Sequence, residues 1–228
     1  MGVRLASNQF QAMLNFIDYW KQKTFLQIFT IYLRYLIGGA FVIAAFGMGK
    51  VTASKVNLMG SLNKPIQDLE PIQQFFRVMI DSGMYWQFIG WTQIVAGALL
   101  MTQRFARLGA LIFFGLILNI FIITVAYKFT GTPIVTGLML LAVTYLLVWE
   151  LRSLQFLFVD DVKAIRVPLK VMESSYWIWL GLIMLTTVVG LAIYYPDLSL
   201  QLGIPFLEGL LGFILFFTVR KRFLRRQD

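Results

Sequence analysis

The sequence contains no cysteine and no histidine. The first absence excludes disulfides, thiolate nucleophiles, thiolate-held zinc and cysteinyl iron–sulfur clusters. The second excludes a histidine-ligated haem, an imidazole general base and any histidine–metal site. No metal and no intrinsic cofactor are therefore expected. Any redox role would draw its electron-carrying centre from a diffusible carrier or a partner protein. Charge is scarce too: 14% of residues are Asp, Glu, Lys or Arg, against about 25% in a soluble domain. No HExxH, GxSxG, dinucleotide fingerprint or paired-carboxylate constellation is present. Gly47-Met48-Gly49-Lys50 matches a phosphate loop only in its second half. Ala44 stands where the first glycine belongs and Val51 where Ser or Thr belongs, so a close helix approach or a bent helix end is the reading.

What the chain has in abundance is apolar surface. Hydrophobic residues make up 59% of it, and the mean hydropathy is +0.75. Too little polar surface remains to coat a water-soluble globule, so an all-α, multi-pass membrane protein is expected, with the lipid bilayer as its first partner. A helix crossing the hydrocarbon core needs about 20 apolar residues. Five spans are easily bounded: Tyr85–Met101, Leu108–Tyr127, Pro133–Trp149, Trp177–Tyr195 and Ile204–Val219. Gly131-Thr132-Pro133 suits the start of one of these, Pro196 the end of the next and Pro205 the start of the last.

A sixth span lies near the N-terminus, where apolar residues run from Phe25 to Met48 with Arg34 among them. An unpaired charge at the bilayer centre costs about 2.5–3.5 kcal/mol even on the lenient scale. That favours a register in which Arg34 sits at one interface and Lys50 snorkels at the other. Residues 1–33 then form an interfacial segment. Its Phe10, Met13, Leu14, Ile17 and Trp20 have the spacing of an amphipathic helix. The first ten residues lack an apolar core, so no cleavable signal peptide is expected.

With the N-terminus inside and six spans, inner segments hold 14 of the Lys and Arg residues and outer segments 5, Arg34 aside. This bias predicts both termini in the cytoplasm. The net charge of +9 then reflects topology and anionic lipid, and no nucleic-acid partner is expected. Residues 34–150 form a four-helix core with an outer loop over 51–84, in which Ile72–Ile80 makes a short helix on the bundle. Residues 151–176 form a cytoplasmic connector, 177–220 a C-terminal helix pair and 221–228 a basic tail.

Polar residues within spans are the candidate ligand-binding groups; no catalytic residue stands out. Arg34 could bind an anionic or carbonyl headgroup, or serve as an interfacial anchor. Trp86, Trp91 and Gln93 could hold a quinone ring by stacking and an amide hydrogen bond. Alternatively, Gln93 bonds between helices. Asn119, near the middle of its span, will seek a partner across the bundle. Glu208 reads as a solvated carboxylate close to the outer end of the last span.

Two stretches carry a family resemblance. Leu33-Arg34-Tyr35-Leu36-Ile37-Gly38-Gly39-Ala40-Phe41, followed by Gly47 to Lys50, is similar to the opening helix of DoxX-like membrane proteins. Ile89-Gly90-Trp91-Thr92-Gln93 through Leu100, and Arg104-Phe105-Ala106-Arg107-Leu108-Gly109-Ala110, resemble that family's second helix and the turn into its third. Asn119 to Leu147, with Gly131-Thr132-Pro133 and Thr136-Gly137-Leu138-Met139, is similar to the third and fourth helices. The resemblance covers roughly residues 31–150; the last two spans go beyond the family's four-helix form. It implies a bacterial inner-membrane protein, an accessory or quinone-contacting subunit of a membrane redox complex, with quinone as the ligand and a partner subunit holding the redox centre. A non-enzymatic scaffold or assembly factor, and a small-molecule transporter, are the alternatives.

Overall fold

The computed structural model describes residues 2–51, 65–155, 169, 171–195 and 197–224. Among these there are helices and turns and no strand. An amphipathic helix α1 (Gly2–Lys21) precedes α2 (Thr24–Gly47). A short 3-10 turn (Ile66–Asp68) leads into α3 (Pro71–Asp81) and α4 (Met84–Met101). Then follow α5 (Ala106–Ala126), α6 (Thr132–Trp149), the single turn α7 (Leu151–Leu154), α8 (Ser175–Tyr194) and α9 (Leu198–Leu224).

Five helices are long and apolar enough to cross a membrane: α2, α5, α6, α8 and α9 over its first 21 residues. The chain is a multi-pass membrane protein by this measure. The expected sixth span, α4, is as long as α6, but Gln87, Thr92 and Gln93 dilute its apolar run. It nevertheless packs along α2 on one side and α5 on the other.

The contacts fix the direction of each helix. A Cβ added at Gly38 would lie 2.8 Å from the Gly97 carbonyl oxygen, and one at Gly97 would lie 2.7 Å from that of Gly38. Antiparallel α2 and α4 can approach this closely only because neither carries a side chain there. α4 and α5 are antiparallel through Gly109 against Leu100 and Ala96, and α5 and α6 through the Thr124–Thr136 hydroxyl pair at 3.0 Å. α8 runs parallel to α2, with Trp177 and Gly181 near Tyr35 and Val188 near Gly39 and Val42. α9 returns against α8, where Tyr176 Oη bonds the Gly212 carbonyl and Thr187 bonds Glu208. The start of α2 and the end of α9 therefore lie at the same end of the bundle.

Three expectations are corrected. The first concerns the interfacial helix. It ends at Lys21 rather than near residue 33, and the apolar helix begins at Thr24. No glycine or proline marks this break. It is held by the Gln27 amide, which donates to the Lys21 carbonyl and accepts from the Val171 and Met172 backbone N–H groups. Arg34 thus lies well inside its helix, and Lys50 lies beyond the helix end. The energetic premise also changes, because the Arg34 charge is paired (below). Its guanidinium reaches the turn after α4 and the C-terminal end of α6.

The second correction is that Pro205 does not open the last helix but sits inside α9, which starts at Leu198. A proline within an apolar helix is tolerated when neighbouring groups satisfy the freed backbone. Glu208 consequently sits ten residues into the helix, not near its end. It accepts from Thr187 Oγ1 at 2.7 Å, and its Oε2 is buried. The third is that parts of the connector are not surface-lying: Leu154, Val171 and Met172 are buried. Residues 1, 52–64, 156–168, 170, 196 and 225–228 lie outside the described residues, so the first part of the loop over 51–84, most of the connector and the end of the basic tail are not placed.

The short helix over Ile72–Ile80 forms as expected. Pro71 occupies a first-turn position, and Glu70 and Gln73 make a reciprocal capping box. Phe75 packs against Tyr127, and Phe76 against Trp86 and Phe129, which seats α3 on the bundle.

Candidate functional site

Four of the ion pairs cluster at one end of the bundle. Arg34 Nη2 donates to Glu150 Oε1 at 2.7 Å, and Arg34 Nη1 to Gln103 Oε1 at 2.9 Å. Arg34 is 3% exposed. Glu150 uses its second oxygen for Arg107, whose Nε lies 3.3 Å away. Each element contributes for a local reason. Glu150 terminates α6, where Trp149 ends the apolar run. Gln103 follows α4 with φ 59°, a left-handed conformation uncommon for a non-glycine residue, and this turn aims its amide at Arg34.

A second ion pair joins this group from α1. Arg152 on α7 pairs with Asp18 and donates from Nη2 to Asn15 Oδ1 at 2.9 Å; Lys21 lies 3.7 Å from Asp18. Lys21 Nζ also sits 5.9 Å above the Trp149 ring. Burial pulls the Lys21 ammonium below its ordinary value, while Glu150 and Asp18 act to hold it up. Leu14 of α1 is buried against the bundle, whereas Phe16, Tyr19 and Trp20 face outward, as suits a helix lying at an interface. Between the two ion-pair groups is a polar cavity of about 290 Å³.

At the other end Lys50 is buried. Its ammonium donates to Gln93 Oε1 at 2.9 Å and lies 5.2 Å from the Trp86 ring centroid. Burial lowers its pKa to about 8. Gly90 makes room for it, since a Cβ there would lie 2.6 Å from Lys50 Cβ.

The five residues singled out in the sequence therefore fall into separate places. Trp86 and Gln93 meet, but around Lys50. Trp91 is 54% exposed and faces away from the bundle, because two residues along a helix are about 200° apart. Arg34 is at the opposite end. Asn119 is exposed on the outer face of α5, beside Leu118 and Ile122, and does not bond across the bundle. The partners that sequence reasoning missed are Glu150, Gln103 and Lys50's aromatic seat at Trp86. Trp149 and Trp177 are buried inside the bundle.

A third feature is a lateral groove of about 1120 Å³ between α2, α8 and α9, lined almost wholly by apolar side chains. It extends from Thr24 and Phe25 at one end to Ile43 and Leu202 at the other, with Tyr32, Val188 and Gly203 between. Over α2 this is 20 residues, or roughly 28 Å over the 19 rises of about 1.5 Å between them, close to the thickness of a hydrocarbon core. Tyr32 Oη is engaged with the Gly209 carbonyl at 2.7 Å. Among the described residues no cluster of three or more Asp or Glu side chains could hold a metal ion.

These features define the class: a helical multi-pass membrane protein with a charge-paired end, a buried lysine at the other end and an apolar groove along one side. No protein-family model, curated protein or solved structure matches the chain.

Proposed function

We propose that this is a DoxX-like, six-span protein of the bacterial inner membrane with both termini in the cytoplasm, serving as a quinone-contacting accessory subunit of a membrane redox complex. The alternating helix directions support the six-span reading, with α4 as the sixth crossing. The observation that carries the functional reading is the groove between α2, α8 and α9. Its length suits an extended isoprenoid or acyl tail rather than a compact solute, and its walls offer dispersion contacts and no charge. The chain has no Cys or His, so the electron-carrying centre belongs to a partner subunit and the quinone is held by its tail.

The test is quinone retention. Protein in quinone-loaded nanodiscs is washed in mild detergent, and bound quinone is counted per chain. Gly203 lines the groove, and nothing stands within 4 Å of a Cβ placed there. Gly203→Phe should therefore fill the groove without disturbing the fold and should abolish retention. Equal retention by wild type and variant, or none by wild type, refutes the reading.

A second reading, a scaffold holding a partner chain, is favoured by Asn119. Its amide is presented outward in the middle of an apolar helix, where a neighbouring helix is the natural source of hydrogen-bond partners. A photo-crosslinker at Leu118 that captures one stoichiometric partner, with no dependence on quinone, would favour this reading over the first.

A further inference from the structure

The polar cavity at the charged end has a composition the foregoing reading does not use. Among the described residues five cations line it, Lys21, Arg34, Arg104, Arg107 and Arg152, against three carboxylates, Asp18, Glu150 and Glu173. None of the three carboxylates is free. Glu150 is shared by Arg34 and Arg107, and Asp18 by Arg152 and Lys21. The cavity is thus cationic by formal charge after its own ion pairs are made.

Among the described residues, the cavity's groups without a hydrogen-bond partner include one acceptor, Asp18 Oδ1, which faces the Lys21 ammonium at 3.7 Å, and a donor on Trp149. Trp149 is 4% exposed and lines the cavity, yet its indole Nε1–H has no acceptor. The Gln103 amide nitrogen is also on the cavity wall and carries two N–H donors, of which Tyr35 Oη takes one. A buried donor without a partner is unfavourable, and a tryptophan N–H can only donate. An acceptor-only, negatively charged ligand satisfies both donors and the surplus charge together. At about 290 Å³ the cavity lies at the small end of ligand sites, with room for one tetrahedral anion and accompanying water.

We propose that this cavity is a phosphate-class anion site, formed by Arg107, Lys21, Gln103 and the Trp149 indole. The phosphate is either free in solution or the headgroup of an anionic lipid. Arginine and lysine supply charge-assisted hydrogen bonds to the oxygens, and the indole and amide fix orientation. α1 closes one side of the cavity through Asp18 and Lys21, so the occupied site also ties α1 to the bundle.

The experiment uses full-length protein delipidated in a zwitterionic detergent. One arm titrates inorganic phosphate, with chloride at matched ionic strength as the control, and follows tryptophan fluorescence and thermal midpoint. The other arm measures retention of phosphatidic acid against phosphatidylcholine by native mass spectrometry. Arg107→Gln changes an exposed side chain, and Trp149→Phe keeps an aromatic ring while removing the donor. Both variants should fold, as checked by size-exclusion profile. Arg107→Gln should weaken binding at least tenfold and Trp149→Phe about fivefold. Saturable binding of inorganic phosphate assigns the site to a soluble anion. Selective retention of phosphatidic acid that inorganic phosphate does not displace assigns it to a lipid headgroup. Either result, lost in the two variants, supports the proposal. No saturable effect in either arm, or effects equal in wild type and variants, overturns it. Neither arm depends on quinone, so this result and that of the groove experiment stand apart.

Discussion

Replacing Glu150 by Gln tests the central claim about the charged end. At 2.7 Å and an effective dielectric constant of 20, the Arg34–Glu150 attraction is roughly 6 kcal/mol before desolvation. Removing two ions from water costs several kcal/mol each, so the intact pair contributes little net stability. Removing one partner is different. Glu150→Gln leaves Arg34 buried with its charge and only the Gln103 carbonyl and a neutral amide beside it, for which a loss of about 3–5 kcal/mol is expected. Arg107 also loses its partner, but it is largely exposed and adds no more than about 1 kcal/mol. For a chain of this length the total corresponds to a fall of roughly 6–20 °C in thermal midpoint. The double substitution Arg34→Met/Glu150→Gln removes both charges and should recover at least half of the loss. The assay is thermal unfolding in mild detergent followed by tryptophan fluorescence, with wild type, Arg34→Met, Glu150→Gln and the double substitution forming a double-mutant cycle. A Glu150→Gln protein within 1 kcal/mol of wild type, or single effects that merely add, would refute the argument.

Two further predictions concern other parts of the bundle. Lys50 has a folded-state pKa near 8, below the ordinary value near 10.5, so between these values the unfolded chain binds more protons. Stability should therefore be lowest below about pH 8 and rise towards pH 10.5, by about 3 kcal/mol at most. Lys50→Met should abolish that rise in unfolding measurements across this range; a pH-independent wild type would contradict it. Gly97→Val places methyl groups where the Gly38 carbonyl and Val42 already stand. Overpacking of about 1–3 kcal/mol or more should appear as a lower midpoint and less monodisperse protein on size exclusion, whereas Gly115→Ala, in open space on α5, should be silent.

Much of the architecture was legible because a span needs only length and apolarity. The α5, α6 and α8 runs are legible nearly to their ends, and the short helix over Ile72–Ile80 is legible after Pro71. Contacts across the bundle were not legible. Glu150 is 116 residues from Arg34, and no local pattern links them. The break before Thr24 is made by Gln27 reaching residues 171 and 172, again a distant cause. Helices apolar all round also do not announce which face is covered, which is why Asn119 was read as inward and stands outward. By contrast, the separation of Trp91 from Gln93 followed from helical periodicity alone. Trp86 and Gln93, seven residues apart, share a face and meet at Lys50.

The distance in sequence between Arg34 and Glu150 has a consequence for biosynthesis. At 5–20 residues per second, the ribosome takes roughly 6–23 s to make the 116 residues that separate the arginine from its counter-charge. During that interval the first apolar helix must wait in or beside the insertion machinery with its guanidinium unneutralised. A chain halted before residue 150 would leave Arg34 without its partner, so completion of α6, rather than emergence of α2, is the step at which the N-terminal half can close its ion pair.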